Sequence, residues 1–541
     1  MKNAPYPLNT VDIPVKTLNE LLAFTLTRFQ NRTAFRYRDQ GEIKTATYAR
    51  FVADAKQLAA HFLENGFHNT NIAVIGENSY FWMLTYFAAT GSGNVIVPID
   101  NQLPDDDVIH ILKSSGACAF VFSGDYADLA GPVKEQVKSV KLLINMKTDM
   151  PALLENSGKI SANDAYFIES GIKENDLAAI VYTSGTTGAP KGVMLSHKNI
   201  LEDAKSGCRF MDIALHETMV ILPMHHTLSS TPGVVAQLMG GSTVSICSGA
   251  KNISKDFLDF KPEYTIMVPL IVEAMYKKIW ETAKSQNKDK LLKKMIKISN
   301  ALLNIGIDLR RKLFKSVLAA FGGNLQWVLS GGAALGEEYV LGFRAFGIDI
   351  LQAYGISECS PGVSLNRNRY KRDGSVGVLL DCNKVLIANA DETGIGEIYV
   401  KGSNVMLGYY NDPKATEDAF DGEWFKTGDL GYLDEDGFLF ITGRMKNLII
   451  LSNGKNVSPE ELEYKILALP YVLEVLVYQE GDRILAELFL DEENFPDREQ
   501  RIEADILALN RTLPQYKYIA KTIIRDTEFP KTTSKKIKRK S

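Results

Sequence analysis

Residues 181–197 read VYTSGTTGAPKGVMLSH. The apolar run 177–182 has the length of a buried strand, and it empties into a loop of Thr, Ser and Gly before a second apolar stretch at 192–195. The order is strand, phosphate-sized loop, strand. Gly185 and Gly188 let the backbone approach an anion closely, Thr183, Ser184, Thr186 and Thr187 offer hydroxyl donors, and Lys191 adds a compact positive charge. A polyphosphate suits this chemistry; a plain glycine-rich surface turn leaves the hydroxyls and the lysine unexplained. A Walker A loop is excluded by spacing, because counting from Gly185 puts Pro190 where its second Gly belongs and Gly192 where its Ser or Thr belongs.

Upstream, apolar periodicity predicts a helix over 18–29, paired strands at 34–37 and 43–47, and a helix over 48–65. Strands at 71–75 and 95–100 then alternate with helices at 79–90 and 105–115, the pattern of a mostly parallel sheet. Downstream, 257–266 reads as a strand and 267–280 as a helix. In 288–320 one apolar stripe (Leu291, Leu292, Met295, Ile298, Leu302, Leu303) lies opposite Lys290, Lys293, Lys294 and Lys297. Such a helix either turns its charged face to water or lies on an anionic membrane. Beyond residue 447, Ser458 reads as an N-cap with Glu461 three residues on, and strands flank the 480–482 turn. This is a small α+β module behind a short linker.

Composition bounds the rest. A chain of 541 residues calls for two or more domains, and 45% apolar with 23% charged content is that of an ordinary globular protein. A formal charge of -4, from 61 basic and 65 acidic residues, gives no electrostatic footprint for nucleic acid. The N-terminus lacks a signal-peptide core and no apolar run approaches bilayer length, so a cytoplasmic protein is expected, with peripheral contact at the inner membrane surface as the open variant. Five cysteines without a C-x-x-C pair support neither a disulfide framework nor a zinc knuckle.

Four further stretches carry chemistry. In 221–228, ILPMHHTL, adjacent strand side chains point to opposite faces, so His225 and His226 cannot both ligate one ion from there. The small residues Gly331, Gly332 and Ala333 let a flat base lie against backbone, and Tyr354 offers a face to stack on it. Just beyond, Gly355 precedes Ser357, a hydroxyl donor to an anion, and Glu358, a hard oxygen ligand suited to Mg2+ between phosphates. In 424–431, WFKTGDLG, Asp429 sits in a Gly-flanked turn where its carboxylate can accept from two ribose hydroxyls.

Taken together, these motifs, in this order, resemble the adenylate-forming (AMP-binding) superfamily, which includes acyl-CoA synthetases, nonribosomal-peptide adenylation domains and beetle luciferases. The 288–321 region resembles bacterial long-chain acyl-CoA synthetases in particular. The resemblance implies an α/β fold: a large N-terminal domain of layered sheets and helices (1–443) and a small mobile C-terminal α+β domain (444–541) on a hinge near Lys446. It also implies site roles. His226 would meet the acyl carboxylate and α-phosphate, Gln352 would read the adenine edge, Arg444 would contact ribose or phosphate, and Lys536 in the closing FPKTTSKKIKRKS would be catalytic. Lys535 stands where the family usually has Gly, and Ser357 where it usually has Thr.

The implied reaction uses ATP and Mg2+. A carboxylate attacks the α-phosphate, giving an acyl adenylate and pyrophosphate, and a thiol, that of coenzyme A, then displaces AMP. Amino-acid-activating relatives place an Asp directly after the His226 position; here Thr227 stands there and 228–238 holds no acid. An unpaired ammonium would be expensive in such a place, which favours a plain fatty acid, with a tilt to long chains. Transfer to an acyl carrier protein's phosphopantetheine, or a degenerate nucleotide-binding protein, are the alternatives.

Overall fold

The computed structural model describes residues 8–9, 13–155, 171–183, 190–211, 214–452, 455–492, 495–531, 537 and 539. It divides into a larger unit (residues 1–333, 339–384 and 400–425) and a smaller one (334–338, 385–399 and 426–541).

The opening stretch folds as a β-hairpin. Strands Leu177–Thr183 and Lys191–Ser196 pair antiparallel with Thr183 opposite Lys191. Their apolar side chains are buried because the hairpin is built into a seven-stranded sheet. Its order runs 408–409, 191–196, 177–183, 95–98, 71–75, 119–122, 142–145. From 95–98 outward through 71–75 and 119–122 the pairings are parallel, as the strand-helix alternation requires. Gly192 is fixed by packing, since a Cβ there would fall 2.8 Å from Ile180 Cγ2.

A nine-stranded sheet forms the other half of the larger unit. Strands Glu217–Val220, Tyr264–Met267, Trp327–Ser330 and Asp349–Gly355 are neighbours and parallel, so their C-terminal ends gather on one edge. Ligand sites form beyond such strand ends. Helix Leu18–Phe29 is capped by Thr17, whose hydroxyl accepts from Glu20 N.

Four expectations need correction. Residues 257–260 end a helix (Ile253–Phe260) that stops at Lys261 in left-handed conformation, and the strand is only Tyr264–Met267; a run of apolar residues did not distinguish a buried helix end from a strand. The 288–320 segment is three helices, Asp289–Asn304, Arg310–Leu313 and Lys315–Ala319. Its apolar stripe also divides: Leu292 and Met295 pack with Phe314 and Phe346, while Leu291 and Ile298 face outward. Asp429 lies inside a ten-residue strand, Trp424–Leu433, with only Gly428 taking the positive φ that suggested a turn. Ser458 does precede helix Pro459–Leu467, but its hydroxyl donates to Thr442 O (2.6 Å), so no capping box forms.

In the smaller unit, Val472–Glu480 and Arg483–Leu490 form an antiparallel pair, joined in parallel by Ile519–Arg525, a strand the sequence reading did not anticipate. Helices Pro459–Leu467 and Arg498–Asn510 supply Leu462, Ile466, Ile502 and Ile506 to its core.

Candidate active site

The end of the hairpin and the turn that follows Asp349–Gly355 come together in the larger unit. Lys191 is fixed by the ladder opposite Thr183. Across the adjacent edge strand, Tyr409 pairs with Val193, and the Lys191 ammonium stands over the Tyr409 ring, 5.0 Å from its centroid. The Tyr409 hydroxyl donates to Glu358 Oε1 at 3.0 Å. Burial, and then the adjacent Glu358 carboxylate, push the Tyr409 phenol far up, so it stays a donor. Thr183, Lys191, Tyr409 and Glu358 thus form one polar cluster.

Glu358 sits in a short 3-10 turn, Ser357–Cys359, immediately after the strand that carries Gln352, Tyr354 and Gly355. Gly355 must be glycine, because a Cβ would lie 2.1 Å from Pro361 O. The neighbouring strand end brings in the small residues: Gln352 is the register partner of Ser330, which leads into Gly331, Gly332 and Ala333. Gly332 adopts φ +87, and both it and Ala333 are exposed. A Cβ on Gly331 would sit 3.5 Å from Ala353 O and 3.7 Å from Leu228 Cδ2, so the segment after His226 reaches this same edge.

His225 and His226 lie in a turn beyond strand Glu217–Val220 and not on a strand as expected, yet they do face differently. His225 is buried and His226 exposed, the latter opening the short helix Thr227–Ser230. Burial and then the neighbouring His226 hold His225 well below the usual imidazole range, so its 3.4 Å approach to Asp100 is a contact of a neutral ring and not an ion pair at neutral pH. Asn78 pins the loop ahead of them: its Nδ2 donates to Leu222 O (2.8 Å) and its Oδ1 accepts from Met224 N (2.8 Å). Among the described residues no group of three His, Cys, Asp or Glu could hold a metal by itself.

In the smaller unit Asp429 and Arg444 are cross-strand partners, with Arg444 Nε 2.7 Å from Asp429 Oδ1. Asp429 is buried and its N–H donates to Thr427 Oγ1. Lys446 is held below the usual lysine range by desolvation and then by Arg444.

The model of the AMP-binding enzyme family matches residues 22–410, and that of the AMP-binding enzyme C-terminal domain matches 446–541. The chain belongs to the AMP-binding enzyme family. This AMP-binding enzyme is 30% identical over 452 residues to long-chain-fatty-acid--CoA ligase FadD15 of Mycobacterium bovis, across 80% of this chain and 74% of that one. It is 28% identical over 451 residues to long-chain-fatty-acid--CoA ligase 6 of Rattus norvegicus, across 77% and 64%. Its fold is similar to the crystal structure of the anthranilate CoA ligase AuaEII in complex with anthranoyl-AMP, with TM-score 0.79 at 19% identity over 99% and 97% of the chains. The Mycobacterium tuberculosis fatty acyl CoA synthetase gives 0.68 at 23% identity over 97% of each.

Of the expected site residues of this AMP-binding enzyme, Ser184, Gly185, Thr186, Thr187, Gly188 and Lys536 lie outside the described residues. The sequence reading missed Tyr409 and Asn78. Tyr409 had one signal, its place in a short strand after Gly408; Asn78 had none, because its role is a contact 144 positions away along the chain.

Proposed function

We propose that this AMP-binding enzyme activates a fatty acid with ATP through an acyl adenylate and transfers the acyl group to coenzyme A, releasing AMP and pyrophosphate. The cluster of Thr183, Lys191, Tyr409 and Glu358 at the hairpin end carries the reading, since it offers a positive charge and a metal-capable carboxylate at one place. The names of the sequence relatives, long-chain-fatty-acid--CoA ligases, support the substrate class.

A carboxylate is a weak nucleophile approaching an anion, so the barrier is largely electrostatic. Lys191 stabilises phosphate charge, His226 orients the acyl carboxylate, and the strand-end residues Gly332, Ala333, Gln352 and Tyr354 seat the base. Asp429 and Arg444 hold the ribose. Glu358 suits Mg2+: among the described residues it is a partly exposed carboxylate with one side-chain donor and no cage of further ligands, which matches an ion that completes its shell with phosphate oxygens and water. When bound, Mg2+ neutralises charge on the phosphates. The C-terminal domain, residues 444–541, turns on a hinge near Lys446 and delivers Lys536 for the first half-reaction only, leaving the thiol a path in the second.

Pyrophosphate release tests this directly, with fatty acids of graded length and with coenzyme A or holo carrier protein as acceptor. Acid-dependent release with acyl-CoA formation is expected. Transfer only to the carrier protein would change the acceptor, and no acid-dependent release at all would leave a nucleotide-binding protein without turnover.

A second reading concerns where the acid is collected. Leu291, Ile298 and Ile305 recur at heptad spacing and are 54%, 48% and 70% exposed, and residues 288–297 hold five lysines and one aspartate. Exposed aliphatics framed by lysine suit an anionic lipid surface. Among the described residues no helix is long and apolar enough to cross a membrane, so the contact is peripheral. Co-sedimentation with anionic but not neutral vesicles, lost in I298E/I305E, is the expected result; equal binding to both vesicle types would refute it.

A further inference from the structure

In the turn bearing Glu358 the Ser357 carbonyl accepts locally from Ser360 N (3.1 Å), and the turn is too short to serve those of Glu358 and Cys359 as well. One downstream segment, residues 402–410, supplies the missing partners. Asn404 Nδ2 lies 2.7 Å from both Cys359 O and Gly362 O, and Ser360 Oγ donates back to Asn404 O at 2.8 Å. Two residues on, Met406 N donates to the Glu358 carbonyl at 2.8 Å. Three further on, the Tyr409 hydroxyl reaches the Glu358 carboxylate itself.

The clamp is braced from behind. Asn404 is fully buried, and Asn199 Nδ2 donates to the carbonyls on either side of it, Ser403 (2.9 Å) and Val405 (2.8 Å). Buried Asp203 accepts from Gly362 N (2.8 Å) and Asn404 Nδ2 (3.2 Å). Tyr409 is itself seated, its N–H donating to Thr416 Oγ1 at 2.8 Å.

Lys191 and Glu358 reach the same tyrosine from two sides and do not pair with each other. An ammonium and a carboxylate left free to meet would neutralise one another, and neither would remain for a ligand. We propose that Tyr409, seated by the Asn404 clamp, is the positioning residue of the phosphate site: its hydroxyl holds the Glu358 carboxylate for a divalent cation while its ring holds the Lys191 ammonium for the anion. This rests on the adenylation reading given above.

The test measures ATP binding by calorimetry, with Mg2+ and separately in EDTA, without acid, alongside the Mg2+ dependence of pyrophosphate release. For Y409F, about tenfold weaker binding of MgATP is expected, the scale of one hydrogen bond to a charged group, with binding in EDTA changed less than about twofold. The Mg2+ concentration for half-maximal release should rise by about the same factor, while the KM for the acid stays put. Y409L, which removes the ring as well, should also weaken binding in EDTA. N404A should reproduce the Mg2+ shift. As a control, N94A removes another buried asparagine, whose Nδ2 donates to Phe67 O and Ser92 Oγ at 3.0 Å each, and should lower Tm without moving the Mg2+ dependence. An unchanged Mg2+ requirement in Y409F, or an equal shift in N94A, overturns the proposal; Y409F decides alone if N404A does not fold. If the wild type releases no pyrophosphate, the ligase reading fails, and the Mg2+-dependent binding of Y409F still decides the positioning role.

Discussion

Two antiparallel contacts bear on the lysines on which the proposed chemistry depends, and they are held in different ways. The first, Thr183 with Lys191, belongs to a ladder inside a seven-stranded sheet, and Lys191 forms no ion pair among the described residues. The second, Lys531 with Ile537, is a single antiparallel bridge. Its surroundings are fastened by charge. Lys531 pairs with Glu474 and with Glu528 (2.8 Å), and Arg539 pairs with Glu463 (2.6 Å) and Glu460 (3.3 Å) while donating to Val477 O. The sheet leaves its lysine uncommitted for a ligand, whereas the small unit uses its flanking cations as anchors. Two cations of the basic tail, Lys531 and Arg539, are therefore structural.

That contrast can be broken from either side. The largest effect is expected from K536A, which should lower adenylation by about 10²–10³-fold, the scale of a lost electrostatic contact to the transition state, with ATP affinity within about twofold of wild type. Pre-steady-state pyrophosphate release and calorimetry would show it; unchanged release would remove Lys536 from the chemistry. R539A should cost about tenfold in the same assay, since it leaves Glu463, already raised in pKa by burial, without its guanidinium. R539K should recover little, because a single ammonium does not reproduce a fork that spans two carboxylates and a carbonyl. Full activity in R539A would show that charge does not hold this end.

The smallest effect concerns the larger unit, where buried Asp203 backs the Glu358 turn. Burial raises its carboxyl from 3.8 to about 7, against the hydrogen bonds from Gly362 and Asn404. A folded-state pKa above the unfolded one means that the folded state holds the proton more tightly. Stability from this group is therefore greatest at low pH, declines as pH rises from about 4, and is fully lost above about 7. D203N has no such decline, so its stability relative to wild type should improve by roughly 2 kcal/mol between pH 5 and pH 8. Parallel pH–Tm curves for the two proteins would contradict this.

Much of this was legible in the chain. Helix 18–29 and helix 105–115 fall where periodicity puts them, and the hairpin strands were marked by apolar runs on either side of a glycine-rich loop. The failures share a cause. Asp429 looked like a turn residue because Gly428 and Gly431 flank it, yet Gly431 is small to admit Phe440 O, which a Cβ would approach to 2.3 Å, and the strand runs straight through. The stripe that holds Leu291, Leu292, Met295 and Ile298 was not divided into packed and outward residues, because helical spacing reports that a face is apolar, not what covers it. Tyr409 and Asn404 were invisible as partners of Glu358 for the same reason: their value lies in contacts across 51 and 45 positions along the chain.

The Arg539 anchor also makes the small unit vulnerable at a residue that carries none of the expected chemistry. A proteolytic cut just before residue 539 would leave every expected active-site residue, Lys536 included, on one piece of chain, but would take from Glu463 its guanidinium partner. Such a nick would act at a distance, and turnover could be lost with the whole expected site intact.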